Sequence, residues 1–446
     1  MSSGLRTPRP LFAPLSPSQA RSWLRALERF GVKLGLDNVR MLLRALGDPH
    51  KAFPSLHVAG TNGKGSVCAM LDAALRADGR KTGLYTSPHL VDLRERIRVD
   101  GRMIGRAELG RLLGLLKGTI DGLLRDGRLD AHPTYFEVLT VVAFLHFAER
   151  RIDVAVLEVG MGGRFDATNV VTPLVSVITS IGLDHREYLG PTLAAIAGEK
   201  AGIIKPGVPV VCGPERGPAL AVIRSRAAEA GAPFRPVWGK GRRWESIPTR
   251  AGLRFLYTIE GESYSFKPGL LGSHQGRNAA AAIAALRELG GSGRIPTPSR
   301  EAIIRGLESV RWEGRLEIIG RRPTVYLDGA HNEEGARAVA RFLREEVRGP
   351  FVLVFAMMKD KAVRRAARHL FAPARRVVLT GLPYVRAMKP EAVAGALPEF
   401  AAKTVLEPDP GRALRLARGL AGPDGTVLVA GSLYLVGAVK KLGRPA

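Results

Sequence analysis

His57-Val-Ala-Gly-Thr-Asn-Gly-Lys-Gly-Ser66 follows a short apolar approach, residues 56–59, and runs into Val67-Cys-Ala-Met-Leu-Asp-Ala-Ala-Leu75, whose apolar spacing is helical. A strand, a glycine-rich turn and a helix start, in that order, are the setting a phosphate-binding loop needs. Backbone N–H groups freed by Gly60, Gly63 and Gly65 can converge on phosphate oxygens, while Lys64 supplies charge and Ser66 a hydroxyl for phosphate or Mg²⁺. The pattern G-x-x-x-x-G-K-[ST] is met imperfectly, because Val58 stands at the first glycine and Gly65 separates Lys64 from Ser66. A glycine turn without a ligand is the competing reading. The strand before it and the helix after it favour phosphate.

Outward from this loop, strands and helices alternate. Before it, Leu24, Leu27 and Phe30, then Val39, Leu42, Leu43 and Leu46, predict two helices around a glycine hinge at 31–35. After it, residues 84–87 read as a strand that Pro88 ends, and residues 87–97 as a polar loop too charged for the core, in which Arg94 and Arg96 are either a substrate clamp or solvated connectors. Thr134-Tyr-Phe-Glu137 opens an apolar helix over 138–148, and Thr134 with Glu137 fits a capping box. Asp153-Val-Ala-Val-Leu-Glu-Val-Gly160 is an apolar strand with one carboxylate, Glu158, at its C-terminal end. In an open α/β sheet an acid there faces the ligand crevice, and beside a phosphate loop its natural task is holding Mg²⁺.

A strand over 174–179 leads to His185, by itself more often a surface imidazole, and a helix over 192–201 carries Lys200, for which composition offers nothing beyond an exposed lysine. Strand 208–212, helix 220–230, a hairpin over 253–266 and a small-residue helix from Gly272, bearing His274, Gln275 and Asn278, follow. Gly290-Gly-Ser-Gly-Arg-Ile-Pro-Thr-Pro298 has linker composition, which places a domain boundary near Gly293: a first domain over 1–293 and a second over 294–446. In the second, strands at 325–328, 351–355, 377–380 and 427–431 alternate with helical spacings, so a smaller α/β domain with a parallel sheet and no phosphate loop is expected. Asp328 and His331 sit at the end of its first strand, and catalysis is expected in the cleft between the domains.

The 446 residues carry a net charge of +26, with 46% hydrophobic, 24% charged and 6% aromatic residues. Such a chain buries cores rather than staying disordered, and its charge suits polyanionic substrates as well as nucleic acid. Basic residues are scattered and aromatics few, so no stacking platform for single strands is expected. Cys68 and Cys212 lie in apolar segments and read as buried thiols of a reducing compartment. Residues 1–17 show no secretory signal, and no uncharged apolar run reaches about 20 residues. A cytoplasmic enzyme is expected.

Taken together the residues resemble the Mur ligase superfamily and, within it, the folylpolyglutamate synthase and dihydrofolate synthase family. The matching pieces fall in order: Gly60-Thr-Asn-Gly-Lys-Gly-Ser66, Thr86-Ser-Pro-His-Leu90, Glu95-Arg-Ile97, Thr134-x-Phe-Glu137, Glu158-Val-Gly-x-Gly-Gly-Arg164, Asp166-Ala-Thr-Asn169, Asp184-His185, Glu199-Lys-Ala-Gly-Ile203, His274-Gln275, Asn278-Ala279, Gly314-Arg-Leu-Glu317, Asp328-Gly-Ala-His-Asn332 and Met358-Lys-Asp-Lys361. The resemblance implies a P-loop ATPase domain with a central, mostly parallel sheet and a smaller Rossmann-like α/β domain. It implies that Thr61, Asn62, Gly63, Lys64, Gly65 and Ser66 cradle the ATP phosphates and that Ser87, Glu158 and His185 are Mg²⁺ ligands in two neighbouring sites. Lys200 matches the lysine that the family carbamylates, and Asn278, Arg315, Asp328 and His331 match groups that hold the nucleotide. The pterin end would meet Thr134, Tyr135, Phe136 and Glu137, then Phe165, Asp166 and Ala167, with the loop at 31–36 contributing.

The implied reaction joins L-glutamate to the carboxylate of a dihydropteroate or reduced folate through an acyl phosphate, with Lys64, Lys200, His331 and Arg315 handling charge. A monomer acting on small molecules, with neither nucleic acid nor membrane as partner, is expected. Three rivals stand beside it: a Mur-type amino-acid ligase acting on a cell-wall precursor, a non-catalytic nucleic-acid-binding protein suggested by charge alone, and a plain P-loop kinase.

Overall fold

The computed structural model describes residues 12–31, 35–249, 252–347 and 349–442. Residues 1–11 of the N-terminal stretch and residues 32–34 of the expected pterin-side loop lie outside the described residues.

The first sheet contains β1 (Ser55–Ala59), β2 (Thr82–Tyr85), β3 (Ile97–Val99), β4 (Arg102–Met103), β5 (Val154–Glu158), β6 (Val175–Ile178), β7 (Val210–Cys212) and β8 (Phe234–Pro236). Its order is β4-β3-β2-β5-β1-β6-β7-β8, parallel from β2 through β8, with β3 and β4 antiparallel at one edge. Strands β1 and β5 are buried along their whole length because helices cover both faces of the sheet, and their polar members Ser55, His57 and Glu158 are buried with the rest. Val58 lies in register with Glu158. Because β1, β2, β5 and β6 run the same way, the phosphate loop, Ser87, Glu158 and His185 all follow strand ends that open into one crevice.

Helices α1 (Pro17–Leu27), α2 (Asp37–Ala45), α4 (Arg106–Arg125) and α5 (Tyr135–Arg150) cover one face; α3 (Lys64–Ala77) and α9 (Ser273–Arg287) lie on the other, while α6 (Arg186–Leu189), α7 (Leu193–Lys200) and α8 (Gly217–Glu229) follow β6 and β7. The expected hairpin is part of a three-stranded antiparallel sheet, β9 (Arg242–Thr249), β10 (Gly252–Ile259) and β11 (Glu262–Phe266). Strand β9 escaped the reading because its charged, largely exposed residues lack the alternation of a half-buried strand.

The boundary expected near Gly293 is displaced. Residues 290–292 form a turn, and α10 (Arg300–Ser309) beyond it packs on α3, so closely that a Cβ at Gly306 would lie 2.3 Å from Ala74 Cα. Glycine and proline there mark a turn between two packed helices rather than a linker. The second sheet starts only at β12 (Glu317–Arg321), followed by β13 (Thr324–Leu327), β14 (Phe351–Phe355), β15 (Arg376–Leu379), β16 (Thr404–Leu406) and β17 (Thr426–Ala430). Its order is β12-β13-β17-β14-β15-β16, parallel except for the β12–β13 pair. Helix α11 (Glu333–Glu346) follows β13 and starts at the cleft.

Candidate active site

Gly60 and Gly63 have φ of 152° and 86°, the conformations that glycine takes without strain. A Cβ at Gly63 would meet Asn278 Oδ1 at 2.4 Å, and one at Gly65 would meet Trp312 Nε1 at 2.9 Å, so the loop is glycine-rich because side chains have no room. Lys64 curls back on its own loop, donating to Gly60 O at 3.1 Å and Thr61 O at 3.3 Å. Ser66 Oγ is buried with no hydrogen-bond partner. A glycine cradle at a helix start, with an orphaned hydroxyl and a lysine on loop carbonyls, suits a phosphate and its counterion.

Glu158 lies next to this cradle, 4% exposed, with Ser87 N donating to its Oε2 at 2.9 Å. Burial pushes its carboxyl up, against the opposing pull of Lys64 and the Ser87 amide. His185 has a left-handed backbone, φ 51°, a conformation that costs a non-glycine residue about 1–3 kcal/mol. Burial, with Lys361, Lys64 and His331 nearby, lowers its ring to about 4 and keeps it neutral, the form that ligates metal. Among the described residues no three His, Cys, Asp or Glu side chains gather into a metal cage. Mg²⁺ needs none, since it retains waters and takes one or two carboxylates with substrate phosphates.

Lys200 is buried, not exposed, and its Nζ donates to Gly60 O at 2.9 Å, the same carbonyl that Lys64 uses. Burial first and Lys64 second bring its pKa down to about 7. The composition of its helix could not show this; only the fold carries the end of α7 under the phosphate loop.

These groups line a cavity of about 710 Å³ that also holds Thr61, Asn62, Asn278, Arg315, Asp328 and His331. Asn278 donates to Gln275 Oε1. Both oxygens of Asp328 are occupied by the amides of Leu316 and Ala330, at 2.9 and 2.8 Å, so this acid shapes the turn that carries Arg315 and His331. His331 Nδ1 lies 2.8 Å from Gly329 O.

A second cavity, about 370 Å³, adjoins the first, and Ser87, Pro88, Gly160, His185, Leu189, His331 and Leu433 border both. Thr134, Phe136, Glu137, Phe165, Asp166 and Ala167 line it, as do Gly31 and Gly35 from the hinge. Tyr135 does not; Arg96 lies over its ring at 5.4 Å, and it is Arg96 that borders the cavity. Thr134 and Glu137 form the expected capping box, with Glu137 Oε2 accepting from Thr134 N at 2.7 Å and Thr134 Oγ1 accepting in return.

The loop expected to be too charged for the core is buried at Glu95 and Arg96. Glu95 accepts from the amides of Leu90, Val91 and Asp92 at 2.7–3.1 Å, so one buried carboxylate satisfies the backbone of a tight, half-buried loop. Arg94 pairs with Asp92 instead of reaching a cavity.

Sequence reasoning assigned no role to the network that joins the domains. Lys361 Nζ lies 2.6 Å from Asp184 Oδ1, both side chains under a tenth exposed. Asn332 Nδ2 donates to Asp184 Oδ2 at 3.1 Å and Asn62 Oδ1 at 3.0 Å, and Asn62 Nδ2 donates to Glu334 Oε2 at 3.1 Å. Burial works to raise Asp184, yet the His331 contact and the charges of His331, Lys361 and His185 hold it well below the carboxylate range.

Comparisons with known proteins agree with this geometry. Residues 58–286 match the Mur ligase middle domain, and residues 314–433 match the Mur ligase glutamate ligase domain. The dihydrofolate synthase/folylpolyglutamate synthase of Bacillus subtilis (strain 168) is 38% identical over 425 residues, 95% of this chain and 98% of that one. E. coli FolC in complex with DHPP and ADP has a TM-score of 0.85 at 31% identity, covering 98% of this chain and 99% of that one. The bifunctional folylpolyglutamate synthase/dihydrofolate synthase of Yersinia pestis, complexed with AMPPNP and Mn ion, has a TM-score of 0.83 at 31% identity, with 98% and 99% covered. The chain belongs to the Mur ligase superfamily and, within it, to the folylpolyglutamate synthase/dihydrofolate synthase family of ATP-dependent glutamate ligases.

Proposed function

We propose that this enzyme joins L-glutamate to dihydropteroate and to reduced folates, so that one active site serves both the synthase and the chain-extending reaction. The observation that carries the reading is the shared wall: a glycine cradle suited to a triphosphate shares Ser87, His185 and His331 with a second cavity lined by aromatic, apolar and both acidic and basic side chains. A carboxylate presented from the second cavity meets the γ-phosphate at that wall, and glutamate approaches from the small domain.

In this reading a carboxylate oxygen of the acceptor attacks the γ-phosphorus and ADP leaves. The glutamate α-amine then attacks the acyl carbon, phosphate departs, and the amine's proton is lost to solvent or phosphate. Thr61 to Ser66 and Asn278 position the phosphates, and Arg315 with Lys64 and His331 offsets the charge that both steps concentrate. Ser87, Glu158 and His185 are the residues that would hold Mg²⁺ in two neighbouring sites, where the ion would polarise the phosphoryl oxygens. Lys200, whose amine is half neutral near pH 7, suits carbamylation, which would turn a buried cation into an anion beside those sites. Asp328 acts through the turn it shapes. Thr134, Phe136, Glu137, Phe165, Asp166 and Ala167 face the acceptor ring, with Tyr135 behind Arg96.

One chain supplies every group, so a monomer suffices. No helix among the described residues is long and apolar enough to cross a membrane, and the buried free thiols Cys68 and Cys212 suit a reducing cytoplasm. The test is ADP release that requires both glutamate and an acceptor. Turnover with dihydropteroate and with tetrahydrofolate supports the bifunctional reading; turnover with one acceptor alone restricts it, and none with either overturns it.

A further inference from the structure

His57 belongs to neither cavity. It sits in β1, fully buried, three residues before the phosphate loop begins. Its Nε2 lies 2.8 Å from Thr168 Oγ1, while Nδ1 is buried with no partner. The Thr168 hydroxyl also bonds to Asp166 Oδ1, which accepts from Thr168 N at 3.0 Å as well; Asp166 Oδ2 accepts from Met161 N at 3.0 Å. Asp166 borders the second cavity. The three buried groups therefore form a chain from the middle of the central strand to the cavity wall.

Proton counting sets the direction of that chain. A hydroxyl has one proton, and a carboxylate can only accept. Burial pushes the Asp166 carboxyl up, while two amides and the hydroxyl converging on its oxygens oppose that shift and stabilise the carboxylate. Thr168 therefore gives its proton to Asp166 and must accept from His57, which makes His57 the Nε2–H tautomer with a bare Nδ1. The opposite tautomer would draw the hydroxyl proton toward the ring and release Asp166. Burial, and then the charge of Lys205, lower the ring to about 3, so it stays neutral.

We propose that His57 is a positioning residue for the acceptor substrate: through Thr168 it fixes the Asp166 carboxylate so that the oxygen lone pairs bordering the cavity take N–H donors of a fused heterocycle. The proposal rests on the folate reading above, because it assumes that the second cavity holds the acceptor ring.

The test compares wild type with His57→Leu, His57→Gln and Thr168→Val. The glutamine places an amide donor close to where Nε2 stands. His57→Leu and Thr168→Val are each expected to raise KM for dihydropteroate about tenfold, the effect of losing a hydrogen bond to a charged group. Neither should move kcat at saturating acceptor or KM for ATP by more than about twofold, and His57→Gln should recover most of the loss. A His57→Gln as impaired as His57→Leu, or an ATP KM that rises in step, would overturn the relay. If the leucine variant does not fold, the wild type answers alone: nitrogen–proton correlation spectra of histidine-labelled enzyme, with His57 assigned from the glutamine variant, must show Nε2–H. A ring protonated at Nδ1 would overturn the proposal. Wild type that releases no ADP with any pteroate or folate acceptor would instead sink the folate reading, while the ring spectrum would still report on the relay.

Discussion

The two cavities are built from different materials. The larger cavity rests on backbone: Gly60 and Gly63 at positive φ, and no room for a Cβ at Gly63 or Gly65. Its neighbour rests on side chains delivered by separate stretches, with Arg96 from the loop after β2, Glu137 from α5, Asp166 after β5 and Tyr434 from the small domain. A backbone site demands glycine at fixed offsets and leaves a mark in sequence. A side-chain site is satisfied by residue types found anywhere, so, apart from the six residues that the family resemblance marks, its members become visible only once the fold has gathered them.

The largest effects should come where the backbone site concentrates charge. Lys64→Ala and Glu158→Ala are each expected to lower turnover about 10³-fold with every acceptor, while circular dichroism and the unfolding midpoint stay close to wild type. Near-wild-type turnover in either would place the phosphates elsewhere. The seam between the cavities ranks next. Lys361→Met leaves Asp184 without its buried lysine and loosens the small domain against the phosphate loop, so single-turnover rates should fall about 10²-fold for every acceptor. A change confined to one acceptor would show that the lysine serves the second cavity alone.

Lys200 offers a subtler comparison, since Lys64 shares its carbonyl but not its burial. The folded-state pKa of Lys200 is about 7 against an ordinary 10.5. Between those values the unfolded chain binds more protons at this position, so its contribution raises stability as pH rises through that window, and below it the fold bears the full cost of a buried ammonium. In buffer stripped of carbon dioxide, Lys200→Met should be the more stable protein at the acid end of the window and should lose the slope. An unchanged slope would mean that the amine is not what titrates. The smallest effect belongs to the side-chain cavity. Thr134→Ala removes the α5 cap and should cost about 1 kcal/mol in urea unfolding, with ADP release at saturating substrates nearly unaffected.

The same contrast explains what could be read from the residues alone. The phosphate loop, the strand-end acid Glu158 and the capping box of α5 were legible because each is a local rule: turn, pattern, cap. The burial of Glu95 and Arg96 was not, because charge usually means solvent unless three amides happen to need one carboxylate. Nor was the burial of Lys200, since an isolated helix does not reveal what it will be pushed against. The Lys361–Asp184 pair spans the two domains, and no spacing rule connects residues so distant in sequence. Linker composition near Gly293 misled because glycine and proline mark a change of direction, whether or not packing continues beyond it.

At Gly306, α10 presses its bare backbone onto α3 at Ala74. The tether to the small domain, residues 310–316, thus departs from a helix clamped to the one that carries Lys64 and Ser66. The small domain is joined through a helix packed on the one that starts at the glycine loop. A methyl group at Gly306 would therefore force α10 and α3 apart and disturb the tether and the glycine loop together, although Gly306 borders neither cavity.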